Sequence, residues 1–134
     1  MIALDTNVLV RFLTQDDPPQ AVAANAVFAQ LTEAEPGFLC REVVVDLVWV
    51  LERAYGLPRE DIAAALDGLL ASRELVVEAA ERTGLAVTRY RQGVAGFSDH
   101  MIALAALDAG CSATLSFDCK AVSQAGMSLV AAAP

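Results

Sequence analysis

Lysine is almost absent from this chain: Lys120 is the only one in 134 residues, and with eight arginines it faces 17 acids, for a formal net charge of −8. Phosphate affinity comes largely from Lys and Arg, so this balance argues against tight nucleic-acid binding by bulk charge. It leaves chemistry at a phosphate open. Histidine is equally scarce, with His100 alone. Three cysteines, Cys40, Cys111 and Cys119, form no C-x-x-C pair, and one histidine does not complete a zinc set with them. An odd, unpaired cysteine count argues against a disulfide framework and for a reducing cytoplasm. No apolar run approaches the roughly 18 residues that span a bilayer, so no membrane segment is expected. Nor does the N-terminus carry a basic region, apolar core and small-residue cleavage site, which predicts no secretory signal.

Hydrophobic residues make up 56% of the chain, well above a disordered composition. At this length one domain, residues 1–134, is expected, burying about two thirds of its unfolded surface. The pattern alternates strand and helix. Met1 to Leu4 reads as a strand and Asn7 to Leu13 as a short helix. Asp17-Pro18-Pro19 reads as an N-cap with proline at the first helical position, opening a helix to about Leu31. Phe38 to Cys40 is a strand, and a long helix follows from Arg41 to Tyr55, stopped by Gly56. Pro58 opens another helix. Leu75 to Glu78 is a third strand, and Ala80 to Arg91 a helix interrupted by Gly84. Ser98 is placed as the cap of a helix from Asp99 to Ala109. Thr114 to Phe117, a short helix to Gln124, and Met127 to Val130 complete the chain. Strands separated by helices predict an α/β fold with a parallel sheet covered on both faces.

Four aspartates stand out in that frame: Asp5, Asp46, Asp99 and Asp118. Asp5 and Asp118 each follow a short apolar run, where parallel strands deliver side chains to the carboxyl rim of a sheet. Asp46 is the only ionisable residue between Val43 and Leu51. An unpaired carboxylate buried in such a helix costs several kcal/mol, on the order of 3–5, and a shared cation removes that cost. Four acids from separate elements suit Mg²⁺, with Mn²⁺ an equal chemical match. Such ions, about 4 Å apart when paired, serve phosphodiester hydrolysis by activated water.

Each acid also has a second reading. Asp5 and Asp118 suit N-caps, and Asp99 suits the dipole of a first helical turn. Asp46 suits a buried partner for an arginine such as Arg53. Glu42 lies four residues before Asp46 on the same helical face and competes with it as the helix acid. Thr6, Asn7 and Ser116 are short polar side chains able to orient ligating carboxylates. Trp49 reads as core rather than as a stacking platform, and His100 as a surface or packing residue. Arg89, Arg91 and Lys120 are the candidates for RNA-backbone contact.

Asp5-Thr6-Asn7 after the first strand, an acid before Leu47-Val48-Trp49-Val50-Leu51, Phe97-Ser98-Asp99 and Ser116-Phe117-Asp118 resemble the PIN domain over essentially the whole chain. More narrowly they resemble the VapC-type ribonuclease toxins of prokaryotic toxin–antitoxin pairs. The resemblance implies a three-layer α/β/α sandwich with a mostly parallel five-stranded sheet and a Mg²⁺- or Mn²⁺-dependent endoribonuclease acting on tRNA or rRNA. Asp5 and Asp99 match the principal metal ligands and Asp118 the acid after the fourth strand. Alignment puts the helix acid, usually glutamate, on Asp46, one methylene shorter. Where threonine is common this chain has Ser116. The resemblance also implies a homodimer and a cognate antitoxin whose C-terminal segment enters the acidic groove. Two other classes compete: a phospho-signalling receiver domain, and a PIN-like module that binds RNA or a partner without cutting. A receiver expects an acid pair after the first strand, where Asp5 stands alone. A haloacid-dehalogenase phosphatase expects a second aspartate two residues beyond Asp5, where Asn7 stands.

Overall fold

The computed structural model describes residues 1–131, and its chain divides into two compact units, Met1–Ala80 and Glu81 onward. The first unit runs β1 (Ile2–Ala3), α1 (Thr6–Thr14), α2 (Pro18–Gln30), β2 (Gly37–Leu39), α3 (Arg41–Arg53), α4 (Arg59–Ala71) and β3 (Leu75–Val77). β2 lies between β1 and β3, and both pairings are parallel, so each crossover carries helix. Ile2 and Leu75 flank Gly37 in register. A Cβ at Gly37 would stand 3.0–3.1 Å from side-chain atoms of Leu31, Leu4 and Leu75, which explains a glycine in the central strand.

Helix starts and stops follow their residues closely. Asp17 caps α2 by accepting from the Gln20 N–H at 3.2 Å, with Pro18 at the first helical position. α3 ends before Gly56, whose φ of +60° suits a residue without a Cβ. On α3 the buried face is Val44, Leu47, Val48 and Leu51, a helical spacing. α4 buries Ile62, Ala63, Leu66 and Leu69. α1 packs against α2 and α3, and α4 against α3 and β3.

The second unit contains α6 (Phe97–Asp108), β4 (Leu115–Ser116), α7 (Cys119–Gln124) and β5 (Ser128–Leu129); α5 (Ala80–Gln92) begins at its boundary. β4 and β5 pair in parallel, and α7 packs on both. Tyr90 and Phe97 meet edge to face at 5.9 Å. Beside them lies a small-residue core of Ala95, Ala103, Ala121, Ala125 and Met127.

Three sequence expectations need correction. The five strands hydrogen-bond as a group of three and a group of two rather than as one ladder. Gly84 does not interrupt α5, since one glycine costs only about 1 kcal/mol of helix propensity and removes no hydrogen bond. α6 starts two residues before Asp99, with Gly96 as its N-cap, so Ser98 is a helical residue rather than the cap. Among the described residues no helix is long and apolar enough to cross a membrane.

Candidate active site

Asp5 follows β1 and caps α1: its Oδ1 accepts from the Thr6 N–H at 2.8 Å. That bond occupies one oxygen and aims the short acid at the start of the helix. One turn of α1 then places Thr6, Asn7, Val10 and Arg11 along a recess of about 400 Å³. Asp46, Val50 and Ala54, spaced four apart on α3, form its opposite lining with Tyr55. Two carboxylates, a carboxamide and a hydroxyl therefore border one space.

The structure overturns one premise about Asp46. The residue is exposed, because only one face of the apolar α3 is buried and Asp46 lies on the other. No desolvation penalty forces a partner on it. Its proposed arginine is otherwise engaged, with Arg53 lying over the Trp49 ring at 5.9 Å. Trp49 shares the outer face and is 58% exposed, so the expectation of a core tryptophan fails for the same reason. Asp46 makes no hydrogen bond or ion pair with any described residue. Its position on the recess is its one evident structural distinction.

Glu42 behaves differently. It is not among the described residues lining the recess, and its carboxylate lies 3.6 Å from Arg41. Its own backbone N–H, then Cys40 and Arg41, hold it below the usual glutamate range.

In the second unit Asp99 and Asp118 both sit at helix starts. Asp99 Oδ2 accepts from the Gly96 N–H at 3.1 Å. Asp118 Oδ1 accepts from the Lys120 N–H at 2.8 Å, and the Asp118 N–H donates to Ser116 Oγ at 3.0 Å. Ser116 thus fixes the backbone that presents Asp118. The cap readings of Asp5 and Asp118 and the first-turn reading of Asp99 all hold, yet each acid uses one oxygen in these bonds and leaves the other available to a cation. Among the described residues no three His, Cys, Asp or Glu side chains draw together as a metal-holding group. Carboxylates repel one another, and amide N–H groups satisfy them individually.

The remaining candidates are dispersed. Arg89 is exposed and Arg91 half-buried in the last turn of α5, and Lys120 is exposed on α7. His100 is buried and so does not lie at the surface. Cys119 is exposed at the first position of α7.

Sequence reasoning missed Arg11 and Tyr55. The signal for Arg11 was available: it lies four residues after Asn7, on the same face of α1. Arg11 Nη1 donates to Asp16 Oδ1 and to the Tyr55 hydroxyl oxygen, each at 3.1 Å, and Nε donates to Gln20 Oε1 at 2.6 Å. The Tyr55 hydroxyl donates to Asp16 Oδ2 at 2.8 Å, and that of Thr14 to Oδ1 at 2.6 Å. Hydrogen bonds from Thr14, Tyr55 and Arg11 hold the Asp16 carboxyl down from 3.8 to about 2.

A family model described as PIN domain matches residues 2–125. The chain belongs to the PIN-domain family. The PIN match takes in Asp5, Asp46, Asp99 and Asp118, and it leaves the receiver-domain reading without support. PIN domains are typically metal-dependent nucleases. Comparison with curated proteins finds no match to the chain.

Proposed function

We propose that this PIN domain is a Mg²⁺- or Mn²⁺-dependent endoribonuclease and the toxin of a toxin–antitoxin pair. The observation that carries the nuclease reading is the recess lined by Asp5 and Asp46 together with Thr6 and Asn7. The carboxylates, the Asn7 carboxamide and the Thr6 hydroxyl offer hard oxygens, as a small divalent cation prefers, and they fit such an ion. Asp5 and Asp46 would hold it with Asp99 and Asp118. When bound, it supplies positive charge that polarises water and stabilises the phosphate and the departing 3′-oxygen.

The chain's own residues do the rest. The Thr6 N–H fixes the Asp5 carboxylate, and Ser116 fixes the backbone before Asp118. Because aspartate is one methylene shorter than the glutamate usual at its position, Asp46 would help hold the cation indirectly or orient the attacking water. The product is RNA with a 5′-phosphate. Glu42 remains the alternate acid. Arg89, Arg91 and Lys120 contact the RNA backbone, and the substrate is of the tRNA or rRNA class. The reading carries with it a single PIN-like domain over residues 1–134, a homodimer, a cognate antitoxin and a cytoplasmic setting. The net charge of −8 and the shorter Asp46 favour a second reading, a PIN module that binds RNA or a partner without cutting it.

The test is end-mapped cleavage of total bacterial RNA by antitoxin-free chain, with Mg²⁺ or Mn²⁺ against EDTA. Discrete metal-dependent cuts are expected. Asp5→Asn should lower them by roughly 100-fold or more, and Asp46→Asn by roughly 10- to 100-fold, the range for loss of an outer partner of a metal ligand. Glu42→Gln should leave them within a few-fold. Absence of cuts from folded, metal-binding chain favours the non-catalytic module.

A further inference from the structure

We propose that Arg11 is a substrate-binding residue that holds an RNA phosphate adjacent to the scissile one, a role that rests on the ribonuclease reading. Three observations lead there. Arg11 lines the recess that contains Asp5 and Asp46, while the other basic candidates lie on α5 and α7. It also lines a second recess of about 250 Å³, walled by Val8, Ala23, Ala24 and Val27, and only Asn7 and Arg11 border both. A strand passing from one recess to the other crosses Arg11.

The third observation is how the guanidinium is held. Gln20 takes Nε, and Asp16 with Tyr55 takes Nη1, while Nη2 makes no hydrogen bond to any described residue. A mobile surface arginine loses side-chain freedom when it grips a phosphate. Here that ordering precedes binding, and the two N–H bonds of Nη2 remain for phosphate oxygens. Asp16, 3.1 Å away, offsets part of the positive charge. Arg11 therefore works mainly as a positioned donor and only secondarily as a point charge. On a chain of net charge −8, such a placed cation keeps phosphate beside carboxylates that would otherwise repel it.

The experiment uses a short single-stranded RNA containing the mapped cleavage site. Cleavage kinetics are measured across salt concentrations, and binding of the same fluorescent RNA is followed by anisotropy in an inert Asp5→Asn background. Arg11→Ala should raise KM roughly tenfold, with a smaller change in kcat, and flatten the salt dependence by about one phosphate contact. Arg11→Lys restores the salt slope without the affinity, because a flexible ammonium cannot keep the anchors to Gln20, Asp16 and Tyr55 while donating to a phosphate. Tyr55→Phe, which removes one anchor and keeps the charge, should fall between wild type and Arg11→Ala. Thermal melts report folding for every variant. Unchanged KM and salt slope in folded Arg11→Ala or Arg11→Lys overturn the proposal while cleavage stands. If the RNA binds in an Arg11-dependent way and is never cut, the nuclease reading fails and the phosphate contact survives. If the wild-type chain neither binds nor cuts, both fall.

Discussion

The two compact units bury different material. Before Glu81 the core is branched and aliphatic: Leu9, Leu39, Leu47, Leu51, Ile62 and Leu66 are almost wholly enclosed. After it, Tyr90 and Phe97 are as deeply enclosed, and alanines at 95, 103, 121 and 125 form a cluster with Met127. The acids differ in parallel. In the first unit Asp46 has no structural partner and shares a recess with Asp5. In the second, Asp99 and Asp118 each satisfy a backbone N–H at a helix start. Large side chains fill space and can be trimmed, whereas small ones let backbones approach and resist enlargement.

That contrast predicts opposite failures. Leu51→Ala should open a cavity and cost about 2–5 kcal/mol. Ala121→Leu should overpack the second unit and cost about 1–3 kcal/mol. Ala121 is already small, so trimming it to glycine opens little space. Urea unfolding of both variants checks the pair. Comparable tolerance of both substitutions would show that the two interiors are packed alike.

The elements of the first unit were legible in its sequence because each signal there is local. Asp17-Pro18 marks a start, Gly56 a stop, and Leu47 and Leu51 the spacing between. The face of α3 was less legible. Residues 43 to 51 are apolar on every side except at Asp46, so periodicity does not say which side is buried. A buried carboxylate and a core tryptophan both followed from assuming that all of it was. The start of α6 was misplaced because Ser98 is the better cap by composition. The chain instead caps with Gly96 and turns Asp99 back onto its N–H. Asp5 and Asp118 were picked out by their place after apolar runs, and their caps were foreseen as rivals to a metal role. One carboxylate has two oxygens, so the roles coexist. Arg11 went unseen because its neighbours in space, Asp16, Gln20 and Tyr55, come from three segments.

Coexistence of cap and ligand is testable at Asp118. Asparagine caps about as well as aspartate but carries no charge, whereas alanine does neither. Asp118→Ala should lose about 1 kcal/mol of stability together with cleavage. Asp118→Asn should keep its melting temperature and still lose cleavage. Retained cleavage in folded Asp118→Asn would reduce this acid to a cap, leaving Asp99 as the second unit's remaining candidate ligand.

The smallest effect concerns Asp16 in the first unit. Bonds from Thr14, Tyr55 and Arg11 favour its charged form, lowering its folded value to about 2 from 3.8. A group depressed on folding stabilises the native state above its unfolded value and loses that contribution as pH falls through the folded one. Wild type should therefore exceed Asp16→Asn in stability by a constant margin above pH 3.8, and the margin should shrink as pH falls toward about 2. Arg82 and Asp108, 2.8 Å apart, provide the comparison from the second unit, since a lone exposed pair contributes little. Urea melts of Asp16→Asn and Asp108→Asn at successive pH values give both margins. A flat margin for Asp16→Asn through the acid range would mean that the cluster does not hold its carboxylate in solution, and with it would go the rigid anchoring of Arg11.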